Sequence, residues 1–169
     1  DKFIFYSKLD ENHRARKIYR HEIGNFDDKD DLIFEEKSEA FTVSIGLSSD
    51  EKYYFINTSD HNTSEQYYFE FNEKNPKPKL IQKREKGILY SVNSWDGYFY
   101  MHTNKNAEDF KIDKTNSKNF DKWETFIPAK DETLIGGLTI LNNWIIRSEL
   151  SDALGKILVR NIKTNPEEE

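Results

Sequence analysis

The sequence predicts an all-β fold, a partial β-propeller of about three to four blades, each a four-stranded antiparallel sheet. Three observations carry the prediction. Four short apolar runs, Phe3-Ile4-Phe5-Tyr6, Tyr53-Tyr54-Phe55-Ile56, Tyr98-Phe99-Tyr100-Met101 and Trp144-Ile145-Ile146, start 50, 45 and 46 residues apart. A second strand-like run follows each of them, beginning 11 to 14 residues after its start. Helical periodicity is nearly absent while aromatic residues reach 14%, a composition that packs well on pleated surfaces. Four short strands in about 45–50 residues, bounded by polar turns, is the period of a propeller blade. A β-sandwich is the structural rival, since it too spaces short strands regularly; the repeat length favours the propeller.

The strands are lettered A to D outward from the propeller axis. The first blade, approximately residues 1–37, holds strands B to D: the run at 3–6, Lys17-Ile18-Tyr19-Arg20-His21-Glu22-Ile23, and Leu32-Ile33-Phe34. The second, 38–86, is complete, with Phe41-Thr42-Val43-Ser44-Ile45, the run at 53–56, Gln66-Tyr67-Tyr68-Phe69-Glu70-Phe71, and Leu80-Ile81. The third, 87–130, is also complete, with Ile88-Leu89-Tyr90-Ser91-Val92, the run at 98–101, Asp109-Phe110-Lys111-Ile112, and Glu124-Thr125-Phe126-Ile127. The fourth, 131–169, holds strands A to C: Leu138-Thr139-Ile140-Leu141, the run at 144–146, and Lys156-Ile157-Leu158-Val159-Arg160-Asn161-Ile162. The terminal Glu167-Glu168-Glu169 reads as a frayed end.

Composition narrows the function classes. The chain has 169 residues and a formal charge of −6, opposite in sign to the basic excess that neutralises phosphates, so no nucleic-acid partner is expected. There is no cysteine, which excludes disulfides, thiolate zinc sites and cysteine nucleophiles and suits a cytoplasmic location. No apolar run approaches the roughly 20 residues of a membrane-spanning helix, and no membrane partner is expected. The chain opens at a strand without Met, and is expected to be excised from something longer.

A family resemblance covers nearly the whole chain in order. The stretch from Tyr6 through Asp10-Glu11-Asn12-His13-Arg14-Ala15 to Tyr19-Arg20-His21 and Ile23-Gly24 resembles the oligopeptidase B branch of the prolyl oligopeptidase family of serine peptidases. There a strand ends in Asp-Glu-Asn, turns through Arg-Pro and returns as Tyr/Trp-Arg-His. Ala15 stands where that branch commonly has Pro, which implies a looser turn. Asp31-Leu32-Ile33-Phe34-Glu35-Glu36 is similar to its acidic outer strand, and the stretch from Phe41 to Gly46 with Ser48-Ser49-Asp50 to its next inner strand and turn. Asp60-His61-Asn62-Thr63-Ser64-Glu65 resembles its Thr-Ser-Glu hairpin, and Thr103-Asn104 with Ala107 and Phe110 a later Thr-Asn hairpin. The resemblance implies a seven-bladed propeller set against an α/β-hydrolase domain carrying Ser, Asp and His, absent from these residues. It further implies that the propeller gates the access of short peptides, cleaved after Arg or Lys.

The residues themselves carry no catalytic machinery. None of the seven glycines frames a serine as Gly-x-Ser-x-Gly, the turn an α/β-hydrolase nucleophile needs. His13, His21, His61 and His102 lack the three- or four-residue spacing of a helical metal pair. Asp27-Asp28-Lys29-Asp30-Asp31 lacks the glycine and distal glutamate of a calcium loop and reads as a solvated turn. Neither metal nor cofactor is expected.

The B–C hairpins are the candidate sites, because successive ones emerge on one propeller face. They present Asp10, Glu11 and Arg14, then Asp60, Thr63 and Glu65, then Asn104, Asn106, Glu108 and Asp109, then Glu149 and Asp152. Together they form a mainly acidic rim expected to face the C-terminal α/β-hydrolase domain and short basic peptides; the same residue types also favour ordinary turns. Open blade faces are expected to promote self-association. The alternative reading is a stand-alone propeller or β-sandwich that binds a protein or glycan.

Overall fold

The computed structural model describes residues 2–164 and 166–169. Among these, fifteen strands form four antiparallel sheets, one of three strands and three of four, each built from consecutive strands. The all-β, partial-propeller expectation is met. The sheets group into two compact units, residues 1–47 with 51–87, and residues 48–50 with 88–169.

In the first unit, β1 (Phe3–Leu9), β2 (Ala15–Glu22) and β3 (Asp31–Glu35) make one sheet. The acidic run before β3 folds as a short 3-10 turn, Asp27–Lys29. The second sheet is β4 (Thr42–Leu47), β5 (Tyr53–Ser59), β6 (Ser64–Glu70) and β7 (Lys79–Gln82). Period-two patterning sets the packed faces: Val43 and Ile45 turn inward while Thr42, Ser44 and Gly46 stay exposed. Ile18, Val43, Ile56 and Phe69 form the buried core, with Phe5, Phe34, Tyr54 and Tyr67 packed around it. Ring centroids of Phe5 and Tyr54 lie 4.5 Å apart, and those of Phe34 and Tyr67 4.7 Å apart.

In the second unit, β8 (Tyr90–Trp95), β9 (Tyr98–Thr103), β10 (Lys111–Thr115) and β11 (Glu124–Ile127) form one sheet. The other is β12 (Thr133–Leu141), β13 (Trp144–Ser151), β14 (Leu154–Asn161) and β15 (Glu167–Glu168). Tyr100, Ile112 and Ile127 of the first pack against Ile135, Ile140 and Ile145 of the second. Three two-residue turns connect neighbouring strands: Asp96-Gly97, Asn142-Asn143 and Asp152-Ala153. Both residues of each have positive φ, the left-handed geometry whose twist matches the flanking strands.

Three details depart from the sequence reading. β12 begins at Thr133, well before the apolar run at 138–141, and its register shifts between Ile135 and Leu138, across Gly136-Gly137. The run read as starting at Asp109 becomes a strand only at Lys111, since Phe110 has a φ of 67° that extended backbone does not adopt. The terminal glutamates are not frayed: Glu167 and Glu168 pair with Arg160 and Val159 as β15, and the Arg147 guanidinium binds Glu167.

Candidate functional site

In an antiparallel meander, the β1–β2 and β5–β6 hairpins and the connections after β3 and β7 all lie at one end of the first unit. The first hairpin turns on Asp10, whose Oδ1 accepts hydrogen bonds from the backbone N–H of Asn12 (2.8 Å) and Arg14 (3.0 Å). The Arg14 N–H leads the causes that hold this carboxyl below the usual aspartate range, and Arg16 adds to it. That local bonding ties down the turn ahead of Ala15. The Arg14 guanidinium reaches the Glu39 carbonyl, and Glu11 is exposed, with neither hydrogen bond nor ion pair among the described residues.

The second hairpin repeats the device. Asp60 Oδ1 accepts from the N–H groups of Asn62 (2.9 Å) and Thr63 (2.7 Å), the first of which leads in depressing its pKa. Thr63 is buried, and its hydroxyl accepts from the Gly87 N–H at 3.2 Å. Glu65 is buried too, at 4% exposure. Its carboxylate takes the Arg84 backbone N–H (2.9 Å) and the Arg84 guanidinium (2.9 and 2.7 Å), and accepts from the Tyr67 hydroxyl (3.0 Å).

Arg84 also reaches Glu36 at 2.5 Å, and the Thr58 hydroxyl donates to the same Glu36 oxygen at 2.8 Å. Burial works to raise the Glu36 pKa. The Ser38 N–H, Arg84 and Thr58 outweigh it and hold the carboxyl low. Burial opposes the charge on Arg84, and its two glutamates more than restore it. The guanidinium lies over the Phe41 ring, 4.1 Å from its centroid. This clasp joins the connection after β3 to β5, β6 and the connection after β7. Its two carboxylates are committed to one cation, which makes it a rigid support rather than a proton-transfer pair.

The corresponding end of the second unit shows the same division of labour. Asn104 Oδ1 accepts from the Leu89 N–H at 2.8 Å, and its own N–H donates to the Leu89 carbonyl at 3.2 Å. Asn106 stands exposed at a φ of 55°. The Asp109 carbonyl accepts from the Ile135 N–H at 2.9 Å, while its half-buried carboxylate has no partner among the described residues. His102 donates from Nε2 to the Ile135 carbonyl at 2.7 Å and stacks on Phe110 at 4.5 Å. Burial pushes the His102 pKa down, partly offset by that carbonyl.

Glu149 is buried between Lys130 (2.9 and 2.8 Å) and Arg147 (3.0 and 2.7 Å), and Arg147 continues to Glu167. Glu108 and Asp152 are exposed.

Apart from Arg14, bound to the Glu39 carbonyl, and exposed Asn106, the sequence-derived rim sorts into two sets. Glu11, Glu108, Asp109 and Asp152 keep carboxylates available. Asp10, Asp60, Thr63, Glu65, Asn104 and Glu149 spend their polar groups holding hairpins and connections. Sequence reasoning missed Glu36, Arg84, Lys130, Arg147 and Glu167 as members of the buried clasps. Arg84 sits in the mixed run Gln82-Lys83-Arg84-Glu85-Lys86, where nothing local separates it from solvated neighbours.

Known proteins give the arrangement a family. The model of the prolyl oligopeptidase N-terminal β-propeller domain matches residues 1–167. The chain is 31% identical over 147 residues to Protease 2 of Moraxella lacunata, covering 80% of this chain and 21% of that protein. It is 27% identical over 138 residues to the human prolyl endopeptidase-like protein, covering 80% and 19%. Among solved structures, oligopeptidase B from Trypanosoma brucei, in a closed form with covalently bound antipain, superposes with a TM-score of 0.90 at 25% identity, covering 95% of this chain and 23% of that one. The chain thus spans about a fifth of the length of the curated relatives it matches. A fold of meander sheets in series, matched from end to end by that model, makes this chain a member of the prolyl oligopeptidase N-terminal β-propeller family.

Proposed function

We propose that these residues are the non-catalytic propeller portion of a serine oligopeptidase, gating the access of short peptides to a C-terminal Ser-Asp-His domain of the same protein. The observation that carries this reading is the family match over residues 1–167 in a chain whose sequence has no Gly-x-Ser-x-Gly turn. Cleavage after Arg or Lys is part of the proposal, supported by the likeness to Protease 2 and to oligopeptidase B. The available carboxylates of Glu11, Glu108, Asp109 and Asp152 suit the capture of basic peptides. A chain without cysteine suits the cytosol, which is the proposed compartment.

The test is a length series of peptides, each with one Arg or Lys, offered to the parent hydrolase beside an unfolded protein rich in both. Short peptides are expected to be cleaved after the basic residue and the long chain to be spared. Comparable cleavage of the long chain would contradict gating, and cleavage after uncharged residues would contradict the specificity.

A further inference from the structure

The first unit carries a second polar-and-aromatic site, at the opposite end of its strands from the hairpins. A cavity of about 220 Å³ opens where β1 begins and β6 ends. Its apolar lining is Phe3, Phe5, Tyr54 and Phe71. Tyr54 is centred 4.5 Å from Phe5 and stacks on Phe71 at 5.7 Å, so the walls are already packed without a ligand. Arg20 lies over Phe3 at 4.5 Å, held there by Asp31 (2.7 Å) and by the Lys74 carbonyl (2.6 Å).

Several polar groups at the mouth are unengaged among the described residues. Among the described residues, the ammonium groups of Lys2 and Lys74, the Asn72 amide and the Tyr54 hydroxyl make no hydrogen bond or ion pair. Burial without any compensating bond raises the Tyr54 pKa. Among the described residues, Glu73 is the one carboxylate on the lining and Arg20 is already balanced by Asp31, so Lys2 and Lys74 give these lining residues a net positive charge. An aromatic-walled pocket with polar groups placed at its rim can hold a small ligand by its apolar part and orient it by its polar part. The sign of the rim selects an anionic group beside the apolar one.

We propose that this cavity binds the carboxyl terminus of a peptide ending in an aromatic or large aliphatic residue. The side chain enters among Phe3, Phe5, Tyr54 and Phe71. The carboxylate lies between Lys2 and Lys74, and the Asn72 amide offers a donor and an acceptor to the preceding peptide group. The site is independent of the hairpin end and of the hydrolase reading.

Titration calorimetry on the 169-residue chain tests it with four probes sharing one ring: N-acetylphenylalanine, its amide, 3-phenylpropanoate and phenethylamine. The acid is expected to bind at least tenfold more tightly than the amide, and also more tightly than 3-phenylpropanoate, with phenethylamine weakest. The exposed pair Lys2→Gln and Lys74→Gln together should erase the preference for acid over amide while circular dichroism stays unchanged. Equal binding of acid and amide, or no saturable heat from either, would overturn the proposal. Tighter binding of phenethylamine would make the site a cation cage, and equal binding of 3-phenylpropanoate would remove the peptide from it.

Discussion

At the hairpin end of the first unit, Glu36 and Glu65 are withdrawn from water around a single guanidinium. Removing that cation leaves two buried carboxylates uncompensated, which costs far more than the ion pairs contribute when intact. Arg84→Ala should therefore destabilise the chain by about 3 kcal/mol, the low end for a broken buried pair because Arg84 is a quarter exposed. Urea denaturation measures it, and a loss below about 1 kcal/mol would mean that water reaches both carboxylates. His102 gives a pH signature of definite sign. Its folded pKa lies below the ordinary histidine value, so the stability that its neutral form contributes is present above about pH 6.5 and is lost as the pH falls below that value and through the lower folded pKa. The wild-type chain should lose more stability between about pH 7 and pH 5 than His102→Gln, which keeps an N–H donor. Identical losses would place His102 in water. Neither consequence was legible in the sequence. Glu65 and Asp60 look alike as hairpin acids, and only the packed sheets show that one is buried under Arg84 while the other caps its own turn.

At the scale of elements, the apolar runs and their spacing were sufficient to locate the strands, because a sheet packed on its face writes its pattern into consecutive residues. β12 escaped in part: its early half, Thr133 to Gly137, carries two glycines and a bulge and lacks a continuous apolar run. β15 escaped altogether, since two glutamates become a strand only through Arg147 and the edge of β14. Gly136 sits where an added Cβ would meet Ser148 Oγ at 2.1 Å and the Ser148 carbonyl at 3.2 Å. Gly136→Ala should cost about 1–2 kcal/mol in thermal or urea unfolding. Adding Ser148→Ala should recover part of that loss, and strict additivity of the two changes would contradict the contact. The Asp152-Ala153 turn points the other way. Ala153 holds a φ of 61°, which a side chain resists and glycine accepts, so Ala153→Gly should stabilise the hairpin by about 0.5 kcal/mol after its entropic cost.

Over the whole molecule, the fold class and the family were legible because a repeat of 45–50 residues and an ordered set of hairpin motifs span nearly the entire sequence. What lies on each outward face was not, since strand faces are assigned only once register is known. One face of the β12–β15 sheet exposes Leu134, Trp144, Leu150 and Ile157, and one face of the β1–β3 sheet exposes Ile4 and Leu32. Apolar faces of this kind associate. The 169-residue chain is expected to form dimers or larger species by light scattering at high concentration; a strictly monomeric solution would show that these faces are inert. Whether these residues belong to a serine hydrolase is tested most directly by a fluorophosphonate probe applied to extract from the native source. Bands labelled at an activated serine would be compared with those recognised by an antibody raised against this chain. The propeller reading predicts one band, much larger than the 20.1 kDa of these residues, that carries both signals. An antibody-reactive band of about that small mass, free of label, would contradict it and leave a stand-alone binding module.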